Sequence, residues 1–334
     1  MGAATIRDVA RVAEVSVASV SRALNGLENV HPDTRARVIA AAKELGYVPH
    51  AGARSLSMAR SHAIGVVLPD LHGEFFSEIV RGMDREANTR GYQLLLSNTH
   101  ADVELAGQAM RAMRGRVDGL IVMAPQLDPT RLAETLPGAL PAVLVNTPEA
   151  GTHHALRIDN RGGAEAMVRH LLDQGRRAIV HVAGPADNID GRERREGFEA
   201  SMARLAPGFP VHVIEGDFLE ESGARAVHQL LTGGVRFDAL FAANDMMALG
   251  ALQALREAEV DVPGAVAVAG FDDIPLARYL ALTTMRVHVA DVGARAMARV
   301  IDEIDGKPRD ATTDLITPEL VVRATTGGIP SRPR

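Results

Sequence analysis

Thr5 to Asn25 read TIRDVARVAEVSVASVSRALN, the pattern of two short helices with a tight turn between them. Thr5 is placed to cap the first helix, and Asp8, three residues on, to close a capping box. Ile6, Val9, Ala10 and Ala13 share one face at helical spacing. Glu14-Val15-Ser16 interrupts that spacing, and Ser16 is placed to cap a second helix. There Val20, Ala23 and Leu24 point inward, while Ala18, Ser21, Arg22 and Asn25 share the opposite face. That face suits the floor of a DNA major groove: a small Ala18 admits close approach and its methyl can touch thymine, Arg22 can fork onto guanine, and Ser21 can reach a base or a phosphate. A helical hairpin with a merely solvated polar face has the same spacing, so the pattern alone leaves both readings open. Val17, three residues before Val20, is open between core and base contact.

The chain has 334 residues, of which 46% are hydrophobic, enough for two or three domains. It contains no Cys, which excludes disulfides and thiolate metal sites. No run of about 18 apolar residues occurs and no basic-then-apolar leader opens the chain, so a cytoplasmic protein with no membrane partner is expected. The net charge of −6 argues at first against DNA. Residues 1–60, however, hold eight Lys and Arg against five acids, a net +3, which leaves −9 for the remainder. A basic head on an acidic body fits a phosphate-binding module whose body stays off the DNA. With so mild a positive charge, a dimer is expected to double the contacts.

Within Thr5–Asn25 the segment T-I-x-D-V-A-x-x-A-x-V-S-x-x-x-V-S-R-x-L-N resembles the helix-turn-helix that opens repressors of the lactose/galactose repressor (LacI/GalR) family. The resemblance continues through almost the whole chain and favours the DNA reading. It implies DNA contacts from Thr5, Ser16, Val17, Ala18, Ser21, Arg22 and Asn25 in the head, and from Tyr47, Ala53 and Leu56 beyond it. Gly26 ends the second helix, and a third helix is expected over Pro32–Leu45, stopped by Gly46, with Val38, Ile39, Ala42 and Leu45 covering the first two. His31 reads as a weak cap, a phosphate contact or a solvated loop residue. The head thus spans 1–46. Residues 47–61 read as a linker, too short and too rich in Gly and Ser to hold a helix in water. By resemblance this linker becomes a hinge helix on DNA, with Leu56 as the wedge in the minor groove. Gly52 departs from the family pattern, where a β-branched residue is usual.

From residue 62 onward short apolar runs alternate with amphipathic helices, the rhythm of parallel sheets with helices on both faces. The expected fold is an all-α head plus a doubly wound, two-lobed α/β core over 62–334. The first lobe is read as about 62–159 with 290–316, and the second as about 160–289 with 317–327. This core resembles the periplasmic-binding-protein-like regulatory core of the family, in which a ligand sits between the carboxyl ends of the two sets of strands. No leucine heptad follows LVVRATTG, so the tetramer-forming tail of some relatives is expected to be absent.

By resemblance the effector set is Phe75 and Phe76 in the first lobe, with Asn146 as a weaker candidate. In the second lobe it is Asn188, Asp190, Arg194, Phe218, Asn244 and Asp272. Arg194, in R-x-x-G-F, offers a planar fork to hydroxyls or a carboxylate. Asp272 accepts from ligand hydroxyls, and Phe218 stacks on the effector. Asp245 is expected to cap the helix after Asn244. Core packing is an equal reading for Phe75. Arg192, Glu193, Arg195 and Glu196 read as a solvated face of alternating charge, and His153-His154 as a polar loop. This polar set with its aromatic platform favours a sugar-type effector over a purine. No metal, cofactor or catalytic constellation is expected. The resulting expectation is a repressor of carbohydrate-utilisation genes, bound as a homodimer to a palindromic operator and released by effector. The rivals are a purine-responsive or corepressed regulator, a solute-binding protein, and an α/β enzyme.

Overall fold

The computed structural model describes residues 4–25, 30–47, 60–136, 138, 140–147, 152–308 and 311–327. Gly26, Gly52, Ala53 and Leu56 lie outside the described residues. The chain divides into two compact units, residues 1–63 with 115–118, and 64–114 with 119–334.

The first unit carries three helices, α1 (Ile6–Val12), α2 (Val17–Leu24) and α3 (Pro32–Glu44). Thr5 and Asp8 close the capping box of α1, and Ser16 Oγ accepts from Ser19 N at 3.1 Å to cap α2. His31 caps α3, its Nδ1 accepting from Asp33 N at 3.4 Å. Val9, Val20 and Val38 are fully buried among Ala10, Ala13, Ala23, Ala41 and Ala42. Leu45 and Tyr47 pack on this core. Ile39, expected inside, is 52% exposed; Ala41 takes the inward position on α3.

The second unit alternates strand and helix. In order come β1 (Ala63–Leu68), α4 (Glu74–Thr89), β2 (Gln93–Asn98), α5 (Val103–Met113), β3 (Gly119–Val122), α6 (Pro129–Thr135), β4 (Ala142–Val145) and β5 (His154–Ile158). Next are α7 (Asn160–Asp173), β6 (Ile179–Ala183), α8 (Ile189–Leu205), β7 (His212–Glu215), α9 (Glu220–Thr232), β8 (Ala239–Ala242), α10 (Asp245–Glu257) and β9 (Ala267–Ala269). The unit closes with α11 (Pro275–Tyr279), β10 (Thr284–Arg286), α12 (Val289–Ile304), β11 (Thr313–Ile316) and β12 (Glu319–Val321).

One sheet has the order β11-β5-β4-β3-β1-β2 and the other β7-β6-β8-β9. The second sheet is parallel throughout. The chain leaves the first sheet after β5, and β11 brings it back. A two-stranded antiparallel ladder pairs β10, which precedes β11 in sequence, with β12, which follows it. Burial of β1, β3, β4, β6 and β8 on both faces explains their unbroken apolar runs.

Three expectations fail here. His154 is not in a polar loop: it opens β5, is 6% exposed, and its Nδ1 lies 3.1 Å from Thr312 Oγ1. Glu193 is not on a solvated face but buried, gripped by Arg157 at 2.7 Å and Arg161 at 2.8 Å. The cap of α10 is Asn244, whose Oδ1 accepts from Met247 N at 2.9 Å. Asp245 instead turns inward to accept from Thr284 Oγ1 at 2.6 Å and Ile274 N at 2.9 Å.

The helix pair α4 and α12 crosses at glycines. A Cβ on Gly82 would stand 1.8 Å from the Ala290 carbonyl oxygen, so no larger residue fits at this backbone-to-backbone contact.

Candidate functional site

In the head, Val17, Ala18 and Arg22 are exposed on α2. Val17, at 42% exposure, therefore belongs to the outer face and not the core. Arg22 Nε donates to the Ala18 carbonyl at 3.2 Å, which lays the guanidinium along the helix. Ser21 and Asn25 are half-buried on the same side, with Asn25 Nδ2 3.4 Å from Ser21 Oγ. The exposed α2 face thus presents one cation, small side chains and hydrogen-bonding groups. The hydroxyls of Thr5 and Ser16 serve the helix caps.

In the core, a cavity of about 300 Å³ is lined from both lobes. From the ends of first-sheet strands come Asp70, His72, Phe75, Phe76, His100 and Met123. Second-lobe elements supply Asn188, Asp190, Arg194, Phe218, Asn244 and Asp272. These positions follow the carboxyl ends of parallel strands, where open α/β sheets bind ligands. Phe75 and Phe76 meet edge to face, centroids 5.4 Å apart, and Phe75 packs on the main hydrophobic clusters as well as lining the cavity. Phe218 sits at φ 69, and its ring lies so close over Gly184 that a Cβ there would stand 2.3 Å from Cζ.

Arg194 is 3% exposed and fully engaged. Nε donates to Asn160 Oδ1 at 2.8 Å and Nη1 to the Ala243 carbonyl at 2.6 Å. Nη2 lies 3.3 Å from Asp272 Oδ1, and the guanidinium covers the Phe271 ring at 3.9 Å. Burial, opposed by Arg194 and reinforced by Asp190, pushes the Asp272 carboxyl up to about 7. Burial likewise raises Asp190, against the pull of Arg194. Asp272 Oδ1 has no aligned hydrogen bond, and its backbone is held at φ 110. The cavity therefore holds two buried carboxylates around one guanidinium, a set suited to accepting hydrogen bonds from a ligand's hydroxyls.

Asn188 Oδ1 caps α8, accepting from Asp190 N and Gly191 N, and Asn244 Nδ2 donates to the Phe218 carbonyl at 2.9 Å. Asn146 is not among the residues that line the cavity. It is 2% exposed at φ 46, with its backbone N–H donating to the Leu156 carbonyl at 2.9 Å. Sequence reasoning missed Asp70, His72, His100 and Asp217 in the lining; the loops after β1, β2 and β7 are where a search of strand ends finds them. His72, on the loop after β1, lies 3.5 Å from Glu220 at the start of α9. Among the described residues no cluster of His, Cys, Asp or Glu could hold a metal.

A helix-turn-helix and a ligand cavity between two parallel-sheet lobes, carried on one chain, define a DNA-binding regulator that responds to a small molecule. Residues 5–50 match bacterial regulatory proteins of the lacI family, and residues 168–326 match the periplasmic binding protein-like domain. The ribose operon repressor of Escherichia coli strain K12 is 35% identical over 326 residues, covering 96% of this chain and 99% of that protein. The HTH-type transcriptional repressor PurR of Proteus mirabilis is 36% identical over 329 residues, 96% of either chain. The structure of the lac repressor dimer bound to operator and the anti-inducer ONPF superposes with a TM-score of 0.87 at 29% identity, covering 97% of this chain and 99% of that one. The chain belongs to the lacI family.

Proposed function

We propose that the chain represses genes for the use of a small sugar. It binds a near-palindromic operator as a homodimer and lets go when the sugar fills the cavity. Arg194, Asp190 and Asp272, grouped beneath the aromatic wall of Phe75, Phe76 and Phe218, carry this reading. Carboxylates that accept from hydroxyls, under rings that cover an apolar sugar face, are the chemistry of polyol recognition. A volume of about 300 Å³ lies at the small end of ligand pockets and favours a monosaccharide. Ribose is the first candidate, because a repressor of a ribose operon is 35% identical over nearly the whole chain. In the head, Val17, Ala18, Ser21, Arg22 and Asn25 read bases. Thr5, Ser16, Tyr47, Ala53 and Leu56 complete the contact with the duplex. In this reading the protein works in the cytoplasm, catalyses nothing and needs no cofactor.

The purine-responsive reading is favoured by one observation, the 36% identity to a PurR repressor. A thermal-shift screen of monosaccharides and purine bases separates the two. It is followed by fluorescence anisotropy on a duplex selected from random sequence by the protein itself. Release by ribose or another monosaccharide is the expected result. Release by a purine base alone, or no retained duplex at moderate salt, rules the sugar reading out.

A further inference from the structure

Asn160 is 1% exposed and is the first residue of α7, just past the point where the chain leaves the first sheet. Its amide is fully used. Nδ2 donates to Asp190 Oδ1 at 2.8 Å and to Glu193 Oε2 at 3.3 Å, and Oδ1 accepts from Arg194 Nε at 2.8 Å. Asp190 and Arg194 line the ligand cavity; Asn160 does not. Glu193 carries the connection onward, its Oε1 accepting from Arg157 Nη2 at 2.7 Å and Arg161 Nη1 at 2.8 Å. Arg157 is on β5, in register with Leu315 of β11. The crossing itself is tied to the return strand, since Asp159 N donates to the Ile316 carbonyl at 2.9 Å. Asp272, beside Arg194 on the cavity wall, is itself tied to β10, its N–H donating to the Met285 carbonyl at 2.8 Å.

We propose that Asn160 is the positioning residue through which the ligand site acts on the first crossing between the lobes. One buried amide holds Asp190, Arg194 and Glu193 together, and Glu193 holds Arg157 of the first sheet. A ligand that draws on Asp190 or Arg194 must then shift the amide, and with it the Glu193–Arg157 tie across the lobes. Few side chains of this size could replace it, because the position needs donors toward two carboxylates and an acceptor toward a guanidinium, an inventory an amide supplies. A carboxylate at the same place keeps the acceptor but sets a third negative charge against Asp190 and Glu193, with Arg157, Arg161 and Arg194 as the neighbouring cations and Asp272 beyond Arg194. This proposal rests on the reading that the cavity is the effector site.

Asn160→Asp and Asn160→Ala in the full chain test it, by thermal melting and by ribose-driven release from the selected duplex, each at about pH 8 and about pH 6. At the higher pH both variants are expected to need at least about tenfold more ribose for half-release, within the usual range of coupling between sites. At the lower pH the Asn160→Asp deficit is expected to shrink, because the introduced carboxyl regains a proton to donate to Asp190. The Asn160→Ala deficit is expected to stay. Melting without ligand should follow the same pattern. Equal, pH-independent losses in the two variants, or variants that match the wild type, overturn the proposal. A wild type unmoved by ribose and every other monosaccharide overturns the sugar reading alone; the same release comparison, run with the purine base that shifts the wild type's melting, then decides on Asn160.

Discussion

In the proposed effector site Asp272 is under conflicting demands, since a polyol ligand draws on its oxygens and the buried site disfavours its charge. Raised to about 7 by burial, the carboxyl holds its proton more tightly in the folded chain than in the unfolded one. Stability therefore falls as pH rises from about 4 to about 7 and stays reduced above that. Asp272→Asn is expected to stabilise the ligand-free protein at about pH 8 by on the order of 1–4 kcal/mol, with the gain gone near pH 4. The same variant should bind ribose at least about tenfold more weakly, since a charged acceptor contributes roughly 1.5–3 kcal/mol. Thermal melts against pH and calorimetric titration measure the two effects; a melt difference that ignores pH would remove the burial argument. Residues of this kind were legible in the sequence where a motif framed them, as R-x-x-G-F frames Arg194 and G-F-D-D frames Asp272. Asn160 and Glu193 were not legible, because their roles arise only where α7 and α8 pack together. The helix cap falls to Asn244, which also lines the cavity as expected, and not to Asp245. Either side chain can cap a helix, and only the position of Thr284, far along the chain, shows that Asp245 turns inward.

At the scale of elements, the alternation of doubly buried strands with long amphipathic helices from residue 62 onward is visible in the sequence. The short pieces β10 to β12 are not, because three or four residues carry too little periodicity, and β10 and β12 are fixed by each other. β5 was missed because His153-His154 looked polar, whereas His154 is buried against Thr312. Two elements support sharp predictions. In α2, Arg22→Ala is expected to cost about 1–3 kcal/mol in binding to the preferred duplex while leaving the salt slope unchanged, the signature of a base contact. Titrations at several salt concentrations on preferred and scrambled duplexes check it, and a uniform loss with a shallower slope would reassign Arg22 to phosphate. At the crossing of α4 with α12, Gly82→Ala forces a Cβ to within 1.8 Å of the Ala290 oxygen. An overpacking cost of about 1–3 kcal/mol or more follows, read as a lowered melting temperature. An unchanged melt would mean that the two helices slide apart without penalty.

At the scale of the whole molecule, the charge division and the ligand cavity combine into one thermodynamic statement. In the proposed homodimer, a head of net +3 on a remainder of −9 makes two weakly basic contact sites, so affinity for DNA is expected to fall with salt and to depend on both heads engaging together. A ligand that disturbs the simultaneous fit of two heads can therefore release the protein without entering the DNA interface. If ribose is the effector, as proposed, linkage fixes the reverse effect: whatever factor it takes from operator affinity, the operator takes from ribose affinity. The expected factor is about 5–150. Ribose titrations of the protein alone and of its duplex complex, at one salt concentration, measure it directly. Equal ribose affinity in the two titrations, alongside ribose-driven release, would mean that release does not run through the Arg194–Asp272 cavity. A second ribose site, or competition at the head itself, would then have to carry it.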